Sequence, residues 1–392
     1  MHNNKRLRNL ATACATAGLL GAAATAVNAA EPVRVGVMLP FSGVYAALGD
    51  AGRNGLKLAL QEKTAQLHGR SIEFLELDTE ARPERAPELA SSLLDKDKAD
   101  FIIGPVHSGV AMGMSKVLRN TDAIMIIPNA GAGAATGPLC APNVFRTSFS
   151  SWQPSYPMGK VALDAGYKKV VTMSWNYGMG KESLDAFEES FTAGGGEIVK
   201  QILVPFPKTE FQPYITDIAA TAPDAVFVFF AGGGAVKFVK DYDALGLRGK
   251  IPLLGSGFLT EGTLAAQGDA AEGILTTLHY ADNLDNPTNQ KFRQQYQDAF
   301  GKPADIYAVQ GYDAGQLIAQ AMDKLGGDIG DRTALIQAME SSTIDSPRGL
   351  FTFSKAHNPV QDIYLRKVEH GENQVISIAA AGLEDPARGC KL

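Results

Sequence analysis

Val33-Arg34-Val35-Gly36-Val37-Met38-Leu39, then helical spacing over 51–66, then the strand-like run Ile72-Glu73-Phe74-Leu75-Glu76-Leu77 together decide the fold. A compact β-branched run, a helix and a second run make one strand, helix, strand unit. The pattern repeats, with 83–95 helical, Phe101-Ile102-Ile103 strand, 110–119 helical and 123–127 strand. Such alternation implies a parallel sheet covered by helices on both faces. After a Pro- and Gly-rich stretch at 128–142 it starts afresh. Helices are predicted at 152–165, 181–192, 211–220 and 235–245, and strands at 170–174, 197–204 and 225–230. Two such runs predict an α/β protein of two doubly wound parallel-sheet lobes. Beyond them 274–278 reads as a strand, and 288–300, 306–325 and 333–341 as helices. The tail changes to short alternating segments at 350–353, 362–368 and 374–378, read as antiparallel strands.

Residues 1–8 carry Lys5, Arg6 and Arg8 without an acid, and an Ala-rich apolar stretch from Leu10 ends in Val27-Asn28-Ala29-Ala30. This reads as a secretory signal cleaved after about Ala29. Gly18 and Gly21 interrupt the stretch and make it a poor membrane anchor. Removing residues 1–29 takes three positive charges and no negative ones, so 363 residues remain and the net charge goes from −6 to −9. An acidic balance argues against a nucleic-acid partner, whose affinity comes largely from Lys and Arg on phosphates. A length of this order suits two domains better than one. Cys140 and Cys390 remain after cleavage, and in an oxidising compartment they are expected to form a disulfide, two free buried thiols being the alternative.

Catalytic patterns are missing. The six histidines form no His-Glu-x-x-His run, there is no Cys-x-x-Cys pair and no Gly-x-Ser-x-Gly elbow, so no metal site, cofactor or hydrolase chemistry is expected. Gly131-Ala132-Gly133-Ala134-Ala135-Thr136-Gly137 looks superficially like a dinucleotide loop. That fingerprint needs a helix to begin there, and Pro138 and Pro142 bracketing Cys140 are expected to prevent a prompt start.

Short turns that leave strand ends and enter helices stand out instead, since small ligands bind at those ends of open α/β sheets. The turn after the first strand carries Tyr45. In Gly104-Pro105-Val106-His107-Ser108-Gly109, Ser108 is placed to cap the following helix, whose free N–H groups attract a carboxylate; a plain capping role is the alternative. A third turn offers Asn129, Ala130 and Gly131. Ala231-Gly232-Gly233-Gly234 follows the 225–230 strand, where the glycines allow either close backbone approach or helix packing. Tyr177 and Tyr307 sit where they would wall an apolar slot, whereas Phe227, Phe229 and Phe230, inside their strand, read as core.

Taken together, Val35 to Gly43, Ile103-Gly104-Pro105 with Ser108, Ile127-Pro128-Asn129-Ala130-Gly131, Phe145-Arg146-Thr147, Tyr177-Gly178-Met179-Gly180 and Gln310-Gly311-Tyr312-Asp313-Ala314 resemble the extracytoplasmic solute-binding proteins of ABC transporters. The group is the one typified by branched-chain amino acid binders with the type I periplasmic binding fold, and the similarity runs through the whole mature chain. It implies a periplasmic, monomeric clamp that works with membrane permease subunits. One lobe would comprise 30–148 with 279–345 and the other 149–278 with 346–392, joined by three hinge strands. It further implies a ligand carboxylate held by Ser108 and by groups of Asn129, Ala130 and Gly131, with Tyr177 as an aromatic contact and Trp152 and Phe258 as further candidates. Where amino-acid binders of the family carry an acid for the ligand ammonium, this chain has Gly234 beside Gly233, with Glu210 or Glu261 as substitutes. Asp345-Ser346-Pro347-Arg348-Gly349-Leu350 and 356–362 look like the branch that binds benzoate-like acids. An aromatic carboxylate is therefore favoured over a branched-chain or other hydrophobic amino acid. A ligand sensor using the same clamp is the second reading and an exported enzyme the third.

Overall fold

The computed structural model describes residues 31–392, so the proposed signal segment lies outside the described residues. The first half of the chain alternates β1 (Val33–Leu39), α1 (Ala46–Glu62), β2 (Ile72–Asp78), α2 (Ala86–Asp95), β3 (Phe101–Ile103), α3 (Ser108–Leu118), β4 (Ile124–Ile127), α4 (Gly133–Thr136) and β5 (Val144–Arg146). A second series follows with α5 (Tyr156–Asp164), β6 (Lys169–Asn176), α6 (Gly178–Ala193), β7 (Glu197–Pro205), α7 (Gln212–Thr221), β8 (Ala225–Phe229), α8 (Gly232–Ala244), β9 (Leu253–Ser256), α9 (Leu264–Gln267) and β10 (Leu275–Leu278). The chain ends with α10 (Pro287–Phe300), α11 (Ile306–Lys324), α12 (Arg332–Glu340), β11 (Ile344–Ser346), β12 (Gly349–Phe353), β13 (Pro359–Glu369) and β14 (Glu372–Leu383).

Two sheets result. The first is all parallel in the order β2-β1-β3-β4-β5. The second repeats that order as β7-β6-β8-β9-β10, and the tail then extends it antiparallel, with β13 against β10, β12 and β14 against β13, and β11 against β12. Central strands are buried on both faces, all five residues of β8 among them, as coverage by helices on two sides demands. The antiparallel tail strands read from the sequence are thus present, but they enlarge the second sheet into a mixed one. β5, β9 and β11 escape the sequence reading because, unlike the equally short but wholly apolar β3 and β4, they carry polar residues or glycine, β5 ending in the fully buried Arg146.

α11 returns to the first sheet and lies along α1 at backbone contact. A Cβ on Gly55 would stand 1.9 Å from the Ala308 carbonyl oxygen, and one on Gly311 1.9 Å from that of Gly52, so only glycine permits the approach. Asp305 caps α11 by accepting from the Ala308 N–H at 3.0 Å. The chain therefore passes between the two sheets three times, at 147–155, 279–286 and 341–343.

Buried arginines fasten the first two of these passages and the turns beside them. Arg348 donates to the Thr147 and Ser148 carbonyls at 2.6 and 3.0 Å and pairs with Asp313 at 3.4 Å. Arg366 pairs with Glu261 at 2.7 Å and donates to the Tyr280 and Gly257 carbonyls. Arg146 donates to the Ala132 carbonyl at 2.6 Å and to Asn358 Oδ1 at 2.9 Å.

Among the described residues no helix is long and apolar enough to cross a membrane, and no cluster of His, Cys, Asp and Glu is arranged for a metal. Cys140 and Cys390 form a disulfide with a Cα–Cα distance of 5.6 Å. Alkylation of the denatured, unreduced protein should therefore spare both cysteines and label both after reduction. Replacing both by Ser should lower stability by about 2–5 kcal/mol, measured by denaturant unfolding.

Candidate functional site

In each sheet the strand order reverses between its first and third strands, at β1/β3 and β6/β8, and ligands of open α/β sheets lodge outside the carboxyl ends of strands at such points. Here the strand ends of both sheets meet around one narrow cavity, with about 260 Å³ of atom-free space when the solvent at its mouth is counted. Tyr45 reaches it from the turn after β1, Val106 from the turn after β3, and Asn129 and Gly131 from the turn after β4. From the second sheet come Tyr177 after β6, Phe229 and Ala231 at the end of β8, and Phe258 after β9. Leu48, Phe149, Met179 and Tyr307 complete the lining, and no residue of it is charged.

Aromatic rings dominate. Phe258 lies 4.7 Å from Phe149, 6.1 Å from Tyr307 and 6.2 Å from Phe229 between ring centroids, and Tyr177 lies 6.1 Å from Phe229. The Tyr45 and Tyr177 hydroxyls meet at 2.9 Å, joining the turn after β1 to that after β6. Burial is the main force holding the phenols of Tyr45, Tyr177 and Tyr307 above their usual range, so all three stay protonated donors at neutral pH. His107 stacks on Tyr177 with centroids 4.6 Å apart. Burial pushes its imidazole down to about 4, against the opposing pull of Glu84, so the ring is neutral.

Two hydroxyls are buried without a protein partner: that of Tyr307, in the cavity wall, and that of Ser108, which does not itself line the cavity but lies two residues beyond Val106, which does. Buried polar groups are almost always satisfied, so these two mark places where a bound molecule would supply an acceptor or donor. Ser108 is the first residue of α3 and not its cap; His107 takes the cap position, its Nδ1 accepting from the Gly109 N–H at 3.0 Å. That leaves the Ser108 hydroxyl uncommitted at the positive end of an 11-residue helix.

Other expectations are corrected. The Ala130 N–H is spent inside the fold on the Pro105 carbonyl at 3.0 Å, and Ala130 does not line the cavity. Trp152 precedes α5, which begins only at Tyr156, so its ring points outward. It stacks on Tyr156 at 4.3 Å and lines a surface groove with Glu182, Glu189 and Arg388. Gly233 is exposed with open space about it. At Gly234 a Cβ would stand 2.1 Å from the Trp175 indole, so this glycine is a packing requirement and the position has no room for an acid. Neither substitute replaces it, because Glu210 is exposed and Glu261 is taken up by Arg366 and the Ile306 N–H.

A helix does begin in the glycine-rich stretch, over Gly133–Thr136, contrary to expectation. Its Gly133 N–H is already occupied by the Glu182 carboxylate at 2.9 Å. Sequence reasoning missed Phe229, read as core: its position at the very end of β8 was the available signal. Phe149, in an irregular passage, gave none, and Met179 was missed although it is the second residue of its helix, as Tyr307 is of α11.

The comparisons with known proteins agree with this geometry. A family model described as periplasmic binding protein matches residues 32–373. The chain is 33% identical over 351 residues to the Leu/Ile/Val-binding protein homolog 6 of Brucella melitensis, covering 88% of this chain and 89% of the relative. Among solved structures, a solute-binding protein of an R. palustris ABC transporter in complex with benzoate is 48% identical, with a TM-score of 0.90, over 92% of this chain and 100% of that one. One from Rhodopseudomonas palustris BisB5 in complex with 3,4-dihydroxybenzoic acid is 33% identical, with a TM-score of 0.86, over 91% and 99%. With two sheets whose parallel strands converge by their ends on one uncharged cavity, the chain belongs to the periplasmic binding protein family.

Proposed function

We propose that this chain is the periplasmic solute-capturing component of an ABC importer and that it binds a small aromatic carboxylate. The observation that carries the ligand class is the uncharged aromatic cavity, with Trp175 leaving no room for a side chain at Gly234, the position that the resemblance assigns to an ammonium partner. An α-amino acid would bury an ammonium without a counter-charge, at a cost that uncharged oxygens do not offset. A carboxylate fares better, because the start of α3 offers the Ser108 hydroxyl and the positive end of a helix dipole. Rings at 4.7 to 6.2 Å from one another suit a flat aromatic body. The structural relatives in complex with benzoate and 3,4-dihydroxybenzoic acid support the same class, and the name of the Brucella relative supports the competing amino-acid reading.

No bond is made or broken in this reading. Lobe 1 (30–148 with 279–345) offers Ser108, Asn129 and Gly131, and lobe 2 (149–278 with 346–392) closes over the ring with Tyr177, Phe229 and Phe258. Contacts such as the Tyr45–Tyr177 hydrogen bond reward the closed arrangement, and the permease subunits recognise it.

A thermal-shift comparison of benzoate with leucine tests the class. Benzoate at a hundred times its dissociation constant should stabilise the protein by about 2.7 kcal/mol; stabilisation by leucine alone would sink the proposal. Ser108→Ala should cost about 1–3 kcal/mol of benzoate binding by calorimetry, whereas an unchanged affinity would leave Ser108 a packing residue. Gly234→Asp should lower stability by about 1–3 kcal/mol through overpacking against Trp175. Leucine binding gained by that variant would show that the position has room for an acid after all.

A further inference from the structure

One line of side chains runs from the cavity into the passage between the sheets. Asn129 Nδ2 donates to Gln310 Oε1 at 2.7 Å, and Gln310 Nε2 meets His279 Nε2 at 3.1 Å. The members come from three places: the turn after β4, the second turn of α11, and the residue following β10. All three are buried, with Gln310 and His279 fully enclosed. An amide nitrogen can only donate, so the imidazole Nε2 accepts and the ring hydrogen sits on Nδ1. That Nδ1 has no partner in the protein, an unpaired buried donor being the cost of keeping the Nε2 lone pair for Gln310. The ring also stacks on Phe149, a cavity residue, at 5.4 Å.

We propose that Gln310 and His279 are positioning residues for the ligand, holding the Asn129 amide at the cavity and tying it to the segment on which the chain leaves β10. The inference rests on the cavity being the site of the aromatic acid. Gln310 spends one Asn129 amide hydrogen on itself and so fixes the plane in which the rest of that amide faces the cavity. Because His279 directly follows the last residue of β10, a shift of Asn129 on binding is felt at the second passage between the sheets. The arrangement needs a neutral ring. Burial, with Arg348 and Arg366 as the nearby charges, holds His279 well below the usual histidine range. Both guanidiniums are themselves paired, with Asp313 at 3.4 Å and with Glu261 at 2.7 Å.

Two measurements on the full mature protein test this. Nitrogen-15 NMR of His279, without ligand, should show a neutral ring carrying its hydrogen on Nδ1 throughout about pH 5–8. In Gln310→Glu the carboxylate can only accept, and the hydrogen should move to Nε2. An Nε2–H ring in the unaltered protein, titration within that range, or a tautomer indifferent to Q310E overturns the relay. In calorimetry, Gln310→Leu and His279→Phe, the latter keeping an aromatic ring against Phe149, should each weaken benzoate binding roughly ten- to hundredfold. Lower melting temperatures with unchanged affinity would reduce both residues to core packing and overturn the proposal. Failure of the unaltered protein to bind benzoate would refute the functional reading itself, and the NMR measurement would still decide the relay.

Discussion

Wherever the backbone passes from one sheet to the other it leaves the ladders that satisfy its carbonyls, and those passages are buried. An unpaired buried carbonyl is costly, so the architecture depends on donors that reach in from elsewhere. Arg348 and Arg366 provide them, capping the oxygens of Thr147, Ser148 and Tyr280. Arg348 and Arg366 are each balanced by one acid, Asp313 and Glu261. Guanidinium suits the task because its planar fork serves several acceptors at once. Glu261 is thereby withdrawn from any part in the cavity, so the chemistry of the passages and the neutrality of the cavity have a common origin.

The cavity is a product of topology. Two sheets with the same reversal in strand order, facing each other by their carboxyl ends, converge turns that are far apart in sequence. Tyr45 and Tyr177 are 132 residues apart yet share a hydrogen bond, and Asn129 and Gln310, 181 apart, share another. Aromatic side chains fill most of the wall and polar groups are few, so the site has shape selectivity with little charge to discriminate by. Discrimination then lies in which polar groups go unsatisfied when the wrong molecule enters.

Much of this was legible in advance. Tyr45, Asn129, Gly131, Tyr177 and Tyr307 were read from their places in turns or at helix starts, and the structure brings them to one cavity together with Phe258. The same logic failed for Trp152, because the helix there starts four residues later than its spacing implied and the ring turns outward. It failed for Phe229 in the other direction, since a residue at a strand end is both core by pattern and wall by position. Short strands were seen where every residue is apolar and β-branched or aromatic, as in β3, whereas a buried arginine such as Arg146 in β5 contradicts the very pattern that would reveal it. The missing acid at Gly234 was visible as a departure. Its cause, the Trp175 indole packed against the helix, lies in a contact across 59 residues that no local reading contains.

The bond between Cys140 and Cys390 closes a ring spanning 250 residues, which takes in all of β6–β10, all of α10–α12 and the antiparallel tail. Exposed loop tips are where proteases cut first. A single cut anywhere inside that ring yields two fragments still joined through sulfur, so the molecule keeps its parts in register after damage that would let an open chain drift apart.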